Sequence, residues 1–244
     1  MVEAGESIPE MHHRLYEFDT NAELSMNLAV RIASNLAAAL AERGEATLAV
    51  SGGSTPKSLF KALSLQALDW SRVTITQVDE RWVEEDHADS NARLIKQSLL
   101  QNAACAANFC SMKVPAASPF DAEAAASEKL TAFAAGIDVV VLGMGEDGHT
   151  ASFFPGAASL SRAMYPAGTE LCVAVRPPAA PYDRMTLSLA ALLRARHTYL
   201  HIVGPAKQAV LASASEPGSA AVLPIRAFLH CDMLELDIYH ANRN

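Results

Sequence analysis

The chain has 244 residues, 50% of them hydrophobic and 19% charged. That is enough apolar content for a sizeable core and too much for extended disorder. With 19 basic and 27 acidic side chains the net charge is −8, which excludes a general nucleic-acid or acidic-membrane binder, because such partners need a net basic face.

No linker rich in glycine, proline or serine divides the sequence, so 1–244 reads as one domain. The opening MVEAGESIPEMHH lacks the apolar stretch of a secretory signal, and no run of 18 apolar residues occurs. Cys105, Cys110, Cys172 and Cys231 form no C-x-x-C pair and read as reduced thiols of a cytoplasmic protein. Residues 13–18 read as a first strand. Thr20 or Asn21 caps a predicted helix to Glu42, with Leu24, Leu28, Ile32, Leu36 and Leu40 on one stripe and Gly44 closing it. A short strand over 46–50 runs into SGGSTP and a helix over 57–65. Next come a strand over 73–78 ending in DERW, a helix over 90–101 and a helix over 121–134. IDVVVL at 137–142 is a continuous apolar run, as a strand buried on both faces requires; it ends in GMGEDGHT. A strand over 171–175, a helix from Arg184 to about Arg194, a strand over 198–203, a helix after Gly204 and a strand near 236–239 complete the pattern.

Alternating strands and helices predict an α/β fold with a mostly parallel sheet. Ligands of such folds bind beyond the carboxyl ends of the strands. The polar, glycine-rich motifs each follow a strand, so they are expected to converge on one sheet edge.

Ser51, Gly52, Gly53, Ser54 and Thr55 join a strand to a helix that opens with Pro56. Bare backbone, two hydroxyls and a helix N-terminus suit a phosphate; the same residues also suit an ordinary capped turn. Arg81 in the charged DERW segment offers a bidentate phosphate grip, or a surface ion pair. The segment 143–150 carries three glycines, Gly145 among them, whose N–H groups are expected to face a developing negative charge. Asp147 and His149, two residues apart, suit a histidine base with a carboxylate that orients the imidazole or holds substrate hydroxyls. Lys207 opposes the helix dipole at the start of a helix, which makes sense if an anion sits there; Arg184, read as another helix start, makes a weaker case. His12, His13, His87, His230 and His240 read as surface or terminal residues, His197 and His201 as packing or solvent residues. No metal signature and no G-x-S-x-G nucleophile occur.

SGGSTP, DERWV, SNARL, DVVVLGMGEDGHTASFFPG and GPAKQ, in this order and spacing, resemble the 6-phosphogluconolactonase family from about residue 20 to 240. The resemblance implies a single-domain, Rossmann-like three-layer sandwich and hydrolysis of the δ-lactone of 6-phosphogluconate in the oxidative pentose phosphate pathway. It implies no cofactor and no metal. It makes His149 the general base, and Arg81, Lys207 and the 51–55 loop the phosphate ligands. The expected partner is a phosphorylated sugar lactone, with no nucleic acid and no membrane, acting on a monomer or small homo-oligomer. The related glucosamine-6-phosphate deaminase pattern places a glutamate where Phe154 stands and reads D-E-Y where this chain has Asp79-Glu80-Arg81. A non-catalytic sugar-phosphate sensor would need a DNA-binding module, for which about a dozen residues before the first strand leave no room.

Overall fold

The computed structural model describes residues 13–166 and 170–244; the readings of residues 1–12, His12 among them, lie outside these. Strand β1 (His13–Thr20) passes directly into α1 (Asn21–Arg43). Thr20 stays extended, and its hydroxyl accepts from the Glu23 N–H. Gly44 closes the helix at φ +81°, a left-handed turn open to glycine without strain. Leu24, Leu28, Ile32 and Leu36 are fully buried, so α1 is a core helix.

The chain continues through β2 (Ala46–Val50), α2 (Lys57–Ser64), β3 (Val73–Gln77), β4 (Asp79–Arg81), α3 (Asn91–Ser98), β5 (Asn108–Phe109), α4 (Glu123–Lys129) and β6 (Val139–Leu142). Then follow α5 (Leu160–Met164), β7 (Cys172–Val175), β8 (Arg184–Leu187), α6 (Leu189–Leu192), β9 (His197–Val203), α7 (Pro205–Ser215), α8 (Arg226–Leu229) and β10 (Leu236–Arg243).

Seven strands form a parallel sheet in the order β1-β10-β9-β6-β2-β3-β5. Helices cover both faces, giving the three-layer α/β sandwich. Strand β6 shows why an unbroken apolar run was needed. Val139 and Val141 enter the cluster built with α1, α2 and α3, while Val140 and Leu142 enter the cluster on the opposite face.

A second, antiparallel sheet has the order β4-β8-β7. Only Val78 separates it from β3. The Val78 N–H donates to the Val50 carbonyl and its own carbonyl accepts from Leu187, so one residue stitches the two sheets together.

Three expectations need correction. DERW does not merely follow the end of a strand: β3 stops at Gln77, and Asp79–Arg81 is itself strand β4 of the second sheet. The predicted helix from Arg184 to Arg194 is strand β8 followed by the single turn α6, with the Ser188 hydroxyl capping that turn. Pairing on both sides, with β4 and β7, overrides the helical propensity of the leucines and alanines. The helix over 121–134 survives only as α4, between 3-10 turns at Pro119–Asp121 and Thr131–Phe133.

Candidate active site

Strands β9, β6, β2 and β3 are neighbours, so their carboxyl ends bring four distant segments to one place. A cavity of about 250 Å³ opens there. Of the residues singled out from sequence, Ser51, Gly52, Gly53, Ser54 and Thr55 line one wall. Gly145 and His149 line a second, and Arg81 and Lys207 also face the cavity. Asp147 stands behind His149. Arg184 is not on the wall.

The loop after β2 is held to the loop after β6. The Ser51 hydroxyl accepts from the Gly143 N–H at 3.2 Å, and the Ser51 N–H donates to the Val141 carbonyl. Gly52 faces Asn91 so closely that a Cβ would lie 1.9 Å from its Oδ1.

In the 143–150 loop, Asp147 Oδ1 lies 2.5 Å from His149 Nδ1 and also accepts the His149 backbone N–H at 3.1 Å. A carboxylate accepts, so Nδ1 carries the hydrogen and Nε2 is left as a lone pair. Burial alone would raise the Asp147 carboxyl, but the charge and hydrogen bonds of His149 outweigh it and hold it below 3.8. The Phe154 ring covers the imidazole with centroids 4.4 Å apart. The glycine N–H groups do not play their expected part: Gly143 donates to Ser51, Gly145 to the His149 carbonyl and Gly148 to the Gly145 carbonyl. None of the three is left for an oxyanion.

Arg81 reaches the cavity from β4, its Nη1 donating to the Asp89 carbonyl at 2.7 Å. Beside it Glu80 is buried and gathers donors from the backbones of Arg81, Asn91 and Ala92, from Gln77 Nε2 and from the Ser90 hydroxyl. Burial raises the Glu80 carboxyl, against the pull of those hydrogen bonds. Lys207, in the first turn of α7, is half-buried, and this lowers its pKa against the opposing charge of Glu146.

Arg184 begins a strand and is only 5% exposed. Its Nη1 donates to the Pro181 and Tyr182 carbonyls, and its guanidinium lies 5.8 Å from the Phe154 centroid. It therefore sits behind the aromatic ring, because the pairing of β8 turns it into the protein.

The structure adds residues to the cavity that were not assigned to the site from sequence. Asp79 lines the cavity and accepts from the Ser152 hydroxyl at 2.6 Å. Asn91 faces the cavity and donates to the Asp79 carbonyl, while Ser90 caps α3. His201, read as a packing or solvent residue, is 2% exposed and lines the cavity, with Nε2 2.9 Å from Asn21 Oδ1. Strand alternation held the signal, since His201 shares the α1-facing side of β9 with Tyr199 at the end below SGGSTP. His240, read as a surface residue, is buried, because β10 lies between β1 and β9. Among the described residues no group of three or more His, Cys, Asp or Glu side chains is arranged to hold a metal ion.

Residues 19–235 match the family model described as glucosamine-6-phosphate isomerases/6-phosphogluconolactonase. The 6-phosphogluconolactonase of Pseudomonas aeruginosa is 45% identical over 212 residues, covering 87% of this chain and 89% of that protein. That of Rhizobium meliloti is 43% identical over 231 residues, covering 95% of this chain and all of that one. The crystal structure of a 6-phosphogluconolactonase from Shewanella baltica superposes with a TM-score of 0.89 at 44% identity, covering 94% of this chain and 97% of the other.

Proposed function

The chain belongs to the glucosamine-6-phosphate isomerase/6-phosphogluconolactonase family, and from that premise we propose that it hydrolyses 6-phospho-D-glucono-1,5-lactone to 6-phospho-D-gluconate. The observation that carries this reading is the Asp147–His149 pair, with a free Nε2 lone pair, in a cavity that also holds Arg81, Lys207 and the 51–55 loop.

The phosphate is anchored by Lys207, Arg81 and the hydroxyls of Ser54 and Thr55. This remote binding energy orients the lactone carbonyl toward His149. Nε2 of His149 takes a proton from water as its oxygen attacks C1. Asp147 holds the ring and stabilises the imidazolium that forms. With the loop glycines engaged, the tetrahedral oxyanion is met by solvent. The C1–O5 bond then breaks, and the imidazolium returns its proton to the departing O5. Phe154 puts an apolar ring against His149 and offers no group that could carry a proton onward, which sets the site apart from aminosugar isomerisation.

Loss of freshly generated 6-phosphoglucono-δ-lactone tests the reading against buffer alone. The wild type is expected to accelerate it strongly, and His149→Ala to lower kcat by about 10²–10⁴-fold. A wild type that only matches buffer would end the hydrolase reading.

A further inference from the structure

Behind the cavity wall runs a chain of hydrogen bonds that the reaction as described does not use. Asn21, the first residue of α1, donates from Nδ2 to the carbonyl of Thr55 at 3.3 Å. Its Oδ1 lies 2.9 Å from His201 Nε2 and also accepts from the Ser25 hydroxyl at 3.3 Å. These bonds fix the atoms. Nδ2 donates to a carbonyl, so the amide oxygen faces His201, and Nε2 must carry the hydrogen. His201 Nδ1 is then a bare lone pair. It is buried and has no hydrogen-bond partner.

Burial pushes the His201 pKa down to about 3, and the positive charge of Lys207 pushes the same way. The ring is therefore neutral wherever the enzyme would work. Lys207 lines the same cavity and makes no hydrogen bond or ion pair with the described residues. A buried acceptor without a donor and an ammonium without an acceptor thus line the same cavity. An uncharged imidazole can accept from Lys207 and leave its other N–H groups for an anion; a charged one would repel it.

We propose that His201 is a positioning residue for the phosphate end of the cavity, holding the 51–55 loop through Asn21 on one side and Lys207 on the other. The proposal rests on the hydrolase reading for its ligand, a sugar phosphate. It makes selection of phosphorylated over unphosphorylated lactone depend on a side chain inside β9 that need not touch the substrate.

The test compares kcat/KM for 6-phosphogluconolactone and for gluconolactone in the wild type, His201→Leu, His201→Gln and Asn21→Ser. His201→Leu is expected to reduce the preference for the phosphorylated lactone about tenfold, chiefly through KM. Glutamine has both a donor and an acceptor and is expected to restore most of the preference. Asn21→Ser opens the same chain from the α1 side and carries the test if the leucine variant does not fold. A parallel fall for both lactones, or an unchanged preference, overturns the proposal. Calorimetric binding of 6-phosphogluconate separates the two claims. Wild-type binding without turnover would sink the hydrolase reading alone, and equal affinity in wild type and His201→Leu would sink the role of His201.

Discussion

Gly145 has no room for a side chain. A Cβ there would stand 2.2 Å from His149 Nδ1 and 2.6 Å from Asp147 Oδ1. Gly145→Ala must therefore push the imidazole off its carboxylate, and a displacement of about 1 Å at a reacting group lowers rate by about 10²-fold. We expect kcat to fall by that order while the melting temperature stays near wild type, since the loop is at the surface of the cavity and not in the core. Kinetics and a thermal melt on the same sample check this; a variant with normal kcat would show that His149 does not need its present geometry. Most of the cavity lining was legible, Ser51–Thr55, Arg81, Gly145, His149 and Lys207 among it, because reactive side chains embedded in glycine-rich segments have few structural uses. His201 was not, because its neighbours on β9 are apolar and only the sheet shows that its end of the strand lies under the SGGSTP loop. The glycine N–H groups misled for the opposite reason: a loop that is free to present donors outward is equally free to use them on itself.

At the scale of elements, β4 and α3 are joined through one carboxylate. Glu80 takes hydrogen bonds from three backbone N–H groups and two side chains. Its removal leaves buried donors unmet, each worth about 1–3 kcal/mol. Glu80→Ala is expected to lower stability by about 3 kcal/mol in urea unfolding and to raise KM, because Arg81 and Asn91 lose their support together. An unchanged urea midpoint would contradict the clasp. The element most misjudged from sequence, 184–194, belongs to this same small sheet. Four-residue strands such as RMTL carry too little alternation to oppose a run of leucines and alanines, and their partners lie about 10 and 100 residues away in the chain. The long elements were legible for the converse reason: α1 has a stripe of five apolar positions and two caps, and β6 has an apolar run that only a doubly covered strand tolerates.

For the whole molecule, acid stability should report His201. Its folded pKa is about 3 against 6.5 for the free side chain. Above 6.5 both states are neutral and pH has no effect through this group. As pH falls below 6.5 the unfolded chain takes the proton first, so stability declines by about 1 kcal/mol per pH unit until the folded value is reached. Urea midpoints between pH 7 and 4 should fall more steeply for the wild type than for His201→Leu; equal slopes would mean that the folded ring takes up its proton as readily as the unfolded one. The net charge of −8 acts against an incoming anion while Arg81 and Lys207 act for it. The two fields oppose each other, and beyond a Debye length of about 8 Å at physiological salt both are damped. KM for the phosphorylated lactone should accordingly change only modestly between low and physiological ionic strength.

Among the described residues strand β1 has a single neighbour, β10, and the pairing is parallel, His13 facing Leu236 and Thr20 facing Arg243. During synthesis the first strand of the sheet therefore waits, with both of its hydrogen-bonding edges unmatched, until the last has left the ribosome. The SGGSTP loop is made early, yet His201 and Lys207 arrive more than 140 residues later, so no nascent fragment shorter than 207 residues carries every lining residue of the cavity. A chain interrupted before β10 would leave β1 as an open edge able to pair with other unfinished copies, and a cell making this protein is exposed to that hazard for most of each round of translation.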